Sequence, residues 1–147
     1  MSHPHLHLSK QMCHRLYMAS NSIIRAYREP LQALNITYPQ YIVMMALWEK
    51  DEISIACLLE RTAIDGSAMT QILKKMTGKG LLQIVPYKHD KRKRFVKLTQ
   101  QGQALKDLAN DIPEKIKCRF THIDAQQAQQ LMDLLDIVVT DLNESEQ

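Results

Sequence analysis

The sequence predicts a mainly α-helical chain with one small β-hairpin. Gly and Pro are scarce, at four and five in 147 residues, while Leu, Ile, Met, Ala, Gln and Lys dominate, a balance that favours helix. Apolar residues recur at helical spacing along most of the chain and alternate, as strands require, only in LLQIVPY and RFVKLT. The length suits one domain spanning residues 1–147.

The elements follow in order. Met12, Leu16, Ile23, Ile24 and Tyr27 mark a first helix over residues 8–28, and Pro30 is expected to end it, because the residue before a proline disfavours helix. In LNITYPQ, Thr37 is a candidate N-cap and Pro39 an early helical residue whose missing N–H costs little. A second helix, over about 38–49, contains QYIVMMALW and should be buried on most sides. SIACLLERT, capped by Ser54, makes a short third helix. In AIDGSAMTQILKKMTGKG, Asp65 or Ser67 can cap, Met69, Ile72, Leu73 and Met76 form the apolar stripe, and Gly78 and Gly80 close the helix.

Two short helices joined tightly, the second polar at its start and basic at its end, form the helix-turn-helix pattern. The strands follow at once around a polar turn, KHDKRK, so residues 38–99 read as a winged helix-turn-helix with the β-hairpin as its wing. Beyond Thr99, Leu105, Leu108, Ile112 and Ile116 give one helical stripe, which Pro113 should kink or end. After Asp124, a candidate cap, Leu131, Leu134, Leu135, Val138, Val139 and Leu142 give another. The helices at about 8–30 and 100–143 carry apolar faces that the winged domain cannot cover, so they are expected to pair with a second copy as the dimerisation body of a homodimer.

Charge is segregated along the chain. Residues 1–73 hold six basic and six acidic side chains, residues 74–97 hold nine basic against Asp90 alone, and residues 100–147 hold four basic against nine acidic. A basic segment on a neutral to acidic body is the footprint of a polyanion binder, here double-stranded DNA. Ser67, Ala68, Thr70 and Gln71 are the candidate base readers, with Ala68 suited to a thymine methyl and Gln71 to adenine. Lys74, Lys75, Lys88, Lys91 and Lys93 are assigned to phosphates. Arg92 is the candidate for minor-groove insertion, with Asp90 orienting it or Arg94.

Other classes find little support. No apolar run approaches the roughly 20 residues of a membrane span, and MSHPHLHLSK lacks the apolar core of a signal peptide. A cytoplasmic chain without membrane contact is expected. Cys13, Cys57 and Cys118 are too few and too far apart for a disulfide scaffold or a zinc site. No metal or cofactor is expected, and HPHLHL reads as a mobile terminus because no second ligand cluster closes a site. An enzyme is not expected either: a thiol peroxidase would need a resolving CxxC motif and an accompanying Arg and Thr constellation.

LNITYPQYIVMMALWE (34–49), DGSAMTQILKKM (65–76) and DKRKRFVKLTQQG (90–102), with its Asp-x-Arg then Leu-Thr-x-x-Gly, resemble the MarR family of winged-helix regulators. TYPQY combined with a cysteine in the first helix is similar to the peroxide-sensing OhrR group. The resemblance covers nearly the whole chain. It implies a repressor that binds a palindromic operator as a homodimer and releases it when an organic hydroperoxide oxidises Cys13. Tyr27 and Tyr38 match two tyrosines that hydrogen-bond the thiolate across the dimer interface. Cys118 stands where the two-cysteine type has a resolving thiol, supplied by the partner subunit, that turns the sulfenic acid into a disulfide. Lys93 and Arg94 make the wing more basic than the family pattern requires.

The chemistry fits those residue types. A thiol is a poor nucleophile beside its thiolate, and phenol donors favour the charged form. Sulfenic acid condenses readily with a second thiol, and a disulfide needs its two Cα atoms within about 7 Å, so a pair that starts farther apart must draw its helices together to close it. Met12, Leu16 and the aromatic residues favour an organic hydroperoxide over hydrogen peroxide. Cys57 is expected to be an inert small residue. The alternative is a MarR-type regulator released by a noncovalent small aromatic ligand, whose induction would survive Cys13→Ser.

Overall fold

A computed structural model of the chain describes residues 1–144, which form two compact units, Met1–Asp111 and a second beginning at Ile112. In the first unit the chain starts as two 3-10 turns, Pro4–Leu6 and Leu8–Lys10. Gln11 Nε2 donates to His5 O (2.8 Å) and His7 O (3.0 Å), and Arg15 donates to Ser9 O (2.9 Å). These bonds link the histidine-rich start to the following helix, and α1 begins later than expected, at Met12–Gln32. Pro30 lies inside α1 and does not end it. Placed in the last turn, it forfeits a single backbone bond, which leaves Leu31 and Gln32 free to continue. Asn35, at φ 57°, then turns the chain.

Helix α2 (Tyr38–Glu49) starts at a complete capping box: Thr37 Oγ1 accepts from the Gln40 N–H (3.4 Å), and Gln40 Oε1 accepts from the Thr37 N–H (3.1 Å). Gln40, Tyr41, Val43, Met44, Ala46 and Leu47 are buried, so α2 is the spine of the core, as its continuous apolar run predicts. Around it lie Leu58 of α3 (Ile55–Thr62), Met69, Leu73 and Met76 of α4 (Gly66–Gly78), and Leu82, Val96 and Leu98 of the sheet. Ser54 caps α3 and Asp65 caps α4.

The sheet has three antiparallel strands in the order β1 (Ile53–Ser54), β3 (Asp90–Leu98), β2 (Leu82–Tyr87), with Ile53 opposite Val96 and Leu82 opposite Leu98. The turn between β2 and β3 is shorter than expected. Only Lys88 and His89 form it, and the register slips at Pro86/Tyr87. Asp90 pairs with Tyr87 and Arg94 with Pro86, so Lys91 to Lys93 form a bulge in β3 opposite that slip. Thr99 then caps α5 (Gln100–Ala109): its hydroxyl accepts from the Gly102 N–H (3.0 Å) and donates to Gly80 O (2.6 Å). A Cβ on Gly102 would collide with the Leu81 carbonyl. Trp48 Nε1 donates to Gly102 O (3.0 Å), which ties the far end of α2 to α5.

In the second unit, α6 (Ile112–Lys117) carries Pro113 at its second position; of the two outcomes expected, the helix ends early, at Ala109, and a new one starts at the proline. Helix α7 (Ala125–Glu144) opens with Asp124 and Gln127 exchanging bonds of 2.8 and 3.0 Å. None of its residues is buried. Among the described residues no helix is long and apolar enough to cross a membrane.

Candidate nucleic-acid interface and thiol site

Helix α4 is two-faced. Met69, Leu73 and Met76 face the core, while Ser67, Thr70, Gln71 and Lys74, spaced three and four apart, are exposed together with Lys75. Ala68 is half-buried. Asp65 Oδ1 accepts from the Ala68 N–H (2.9 Å) and the Ser67 hydroxyl (2.7 Å), and these bonds hold the Asp65 carboxyl below its usual pKa. Thr70 Oγ1 donates to Gly66 O (2.9 Å). Both hydroxyl protons are thus engaged within the helix, which leaves Ser67 and Thr70 to present acceptors, while the Gln71 amide can both donate and accept.

The wing is held by contacts near its tip. Tyr87 and Phe95 stack at 5.0 Å and 12°. Asp90 Oδ1 accepts from the Arg92 N–H (3.0 Å) and Nε (3.2 Å), so of the two arginines considered, Asp90 engages Arg92. The Arg92 side chain is 92% exposed against 33% for Asp90, which places the pair at the surface with the guanidinium outermost. Lys88, Lys91, Lys93 and Arg94 are exposed as well. Arg92, Lys93, Arg94 and Phe95 line a groove of about 450 Å³ with Ser54, Ile55 and Ala56 at the start of α3.

Two cations of the basic segment are already engaged. Lys97 Nζ pairs with Glu52 (3.0 Å), whose hydrogen bond and charge raise the Lys97 pKa. Lys79 Nζ donates to Asn35 O (2.7 Å) and Gln40 Oε1 (2.9 Å). Charge counting along the sequence does not separate these two from the seven exposed cations; the Thr-x-x-Gln spacing of the capping box is the signal that marks Gln40.

The candidate thiol-site residues fall in two places within the first unit. Tyr27 of α1 and Tyr38 of α2 pack at 4.7 Å, with Tyr41 at 5.7 Å from Tyr27. Burial, then the neighbouring phenols Tyr38 and Tyr41, push the Tyr27 pKa up; burial and Tyr38 do the same for Tyr41. Both therefore remain protonated donors at neutral pH. Cys13 is exposed in the first turn of α1. Fourteen residues of helix separate it from Tyr27, about 21 Å at 1.5 Å per residue, so the two cannot touch within one chain. In the second unit Cys118 is exposed just beyond α6, its thiol 3.9 Å from Glu114 Oε1. Cys57 is half-buried in α3, its N–H bonded to Ser54 Oγ (3.0 Å). No group of three or more His, Cys, Asp or Glu among the described residues is placed to hold a metal.

A helix-turn-helix followed by an antiparallel hairpin whose exposed face is basic defines a winged-helix protein. A family model described as "Transcriptional regulator SarA/Rot" matches residues 25–108. The organic hydroperoxide resistance transcriptional regulator of Bacillus subtilis is 36% identical over 112 residues, 76% of each chain. The regulator SarZ of Staphylococcus aureus is 33% identical over 129 residues, 88% of this chain and 86% of its own. Among solved structures, a mutant of Escherichia coli MarR complexed with operator DNA superposes with a TM-score of 0.79 at 26% identity, covering 86% of this chain and 92% of that one. The chain belongs to the MarR family of winged-helix transcriptional regulators.

Proposed function

We propose that the protein is a DNA-binding repressor that holds a palindromic operator as a homodimer and releases it when an organic hydroperoxide oxidises Cys13. The packing of Tyr27 on Tyr38, in a chain related to an organic hydroperoxide resistance regulator, is the observation that carries the sensing half of this reading. The DNA half rests on the exposed face of α4 and the wing. Ser67, Ala68, Thr70 and Gln71 read base edges, Lys74, Lys75, Lys88, Lys91 and Lys93 meet phosphates, and Arg92, held by Asp90 and flanked by Arg94, enters the minor groove.

In the redox step the Cys13 thiolate attacks the distal peroxide oxygen and the O–O bond breaks. The alkoxide takes a proton and leaves as the alcohol, while Cys13 becomes a sulfenic acid. The thiol of Cys118 of the partner subunit then displaces water to give a disulfide. Because Tyr27 and Cys13 of one chain lie about 21 Å apart, the phenols that serve each thiol come from the other subunit.

Operator binding of wild type and Cys13→Ser, measured with and without cumene hydroperoxide at fixed salt, tests the reading. Release by wild type and retention by Cys13→Ser is the expected result; equal release by both sinks the thiol step. A Cys118→Ser variant that still forms an SDS-resistant dimer without reductant removes Cys118 from the mechanism. Arg92→Ala should weaken binding strongly, and an unchanged affinity refutes its assignment.

A second reading is favoured by one cavity of about 490 Å³ in the first unit, bordered by Ile24, Arg28, Leu31, Tyr38 and Lys79. Apolar walls with two cations suit a small aromatic anion, and induction by such a ligand would persist in Cys13→Ser.

A further inference from the structure

We infer that Lys79 is a positioning residue that couples the α1–α2 junction to α4, so that a shift at the tyrosine pair reaches the DNA-reading face. The inference rests on the peroxide-sensing reading and names the route of its signal.

Lys79 follows α4 directly, and its own N–H closes that helix onto the Lys75 and Thr77 carbonyls. Its backbone therefore moves with the helix end. Its ammonium crosses to the junction, where it donates to Asn35 O at 2.7 Å and Gln40 Oε1 at 2.9 Å. Among the described residues Gln40 is the single buried polar side chain, 3% exposed. Its amide oxygen accepts from the cap of α2 and from the end of α4 at once, and a charge-assisted bond to a buried acceptor is among the stronger kinds.

The junction is also the sensor's neighbour. Tyr38, which packs on Tyr27, lies between the two capping-box residues Thr37 and Gln40. Asn35 turns the chain there at a left-handed φ of 57°, a conformation asparagine adopts more readily than other non-glycine residues. Asn35, Thr37, Tyr38 and Lys79 border the 490 Å³ cavity, so the junction has open space beside it. A displacement of Tyr38 that carries the capping box with it strains the bond from Lys79 to Gln40, and α4 feels it.

Two simpler roles compete: Lys79 as one more phosphate contact, or as a staple that merely stabilises the fold. Full-length wild type, Lys79→Met, Lys79→Gln and Lys79→Arg are compared for operator Kd, reduced and after cumene hydroperoxide, across a salt series. Cys13 oxidation is followed by mass spectrometry and folding by thermal melts. The expected result is normal Cys13 oxidation and an unchanged salt slope in Lys79→Met and Lys79→Gln, with the oxidised-to-reduced Kd ratio shrunk at least tenfold. Lys79→Arg, which keeps the charge and can donate to both acceptors, should restore the ratio.

A salt slope smaller by about 0.9 with the ratio intact makes Lys79 a phosphate contact and overturns the inference. A lower melting temperature with the ratio intact makes it a staple and does the same. If Lys79→Met fails to fold, Lys79→Gln decides alone. Wild type that releases operator on oxidation while the neutral variants release it equally overturns the coupling only. Wild type that keeps its operator after peroxide overturns the sensing reading and the coupling with it.

Discussion

Helices α2 and α7 are both rich in large apolar residues, yet α2 buries six of its twelve residues and α7 none of its twenty. In α2 the run YIVMMALW surrounds the helix axis, so most orientations need cover, and the helices and sheet of its own unit supply it except at Met45, which stays 38% exposed. In α7 the apolar residues share the helix with Asp133, Asp136 and Asp141, and Leu131, Leu134, Val139 and Leu142 of one face remain exposed. Composition says how much cover a helix requires; its periodicity says whether one face or all of them need it. An exposed stripe of this kind marks an interaction surface, and a second copy of the chain is its occupant in the homodimer proposed above.

The largest expected effect breaks the comparison at α7. Leu134→Asp should halve the assembly mass in sedimentation, and an unchanged mass would remove that stripe from the dimer interface. At α2, Leu47→Ala opens a cavity in the core and should cost about 2–5 kcal/mol in urea unfolding; a cost below about 1 kcal/mol would mean that α2 is not the spine described. Gly102→Ala should cost about 1–3 kcal/mol, because the new methyl meets the Leu81 carbonyl and disturbs the anchor of Trp48. The same melts would show no change if the backbone shifts freely there.

The smallest effect separates the caps. Thr37 caps α2 with a hydroxyl that does not titrate, whereas Asp65 caps α4 with a carboxylate. The folded pKa of Asp65 lies below its ordinary 3.8, so its stabilisation is complete above that ordinary value and is lost as pH falls through the lowered one. Acid should therefore loosen the first turn of α4 before that of α2, as read by amide exchange between about pH 5 and pH 2. Asp65→Asn, which still accepts the cap bonds, should erase the difference.

What could be read from the sequence was what is decided locally. Thr37, Ser54 and Asp124 sit at helix starts as expected, and of the two candidates for α4 it is Asp65 that caps, because a cap depends on its next three residues only. Strand β1 escaped because Ile53 and Ser54 have no period of their own and become a strand when Val96 and Phe95 pass alongside. Pro30 misled because the bias a proline places on the residue before it is a preference only, and Glu29 stays helical within α1. The exposed face of α4, the candidate base reader, was legible from its buried stripe. The engagement of Lys79 was not, since its partners lie 44 and 39 residues away in the chain.

The length of α1 has one more consequence. A thiol at one end of a straight helix and a phenol fourteen residues along it can never form a sensor in a lone chain. In the proposed mechanism, detection is then a property of the pair, and each subunit lends what it cannot use. Dimers mixed from Cys13→Ser and Tyr27→Phe chains would carry one complete station and one with neither part, although neither parent homodimer has any. Dilution below the dimer Kd would silence the detector without altering a single bond within either chain.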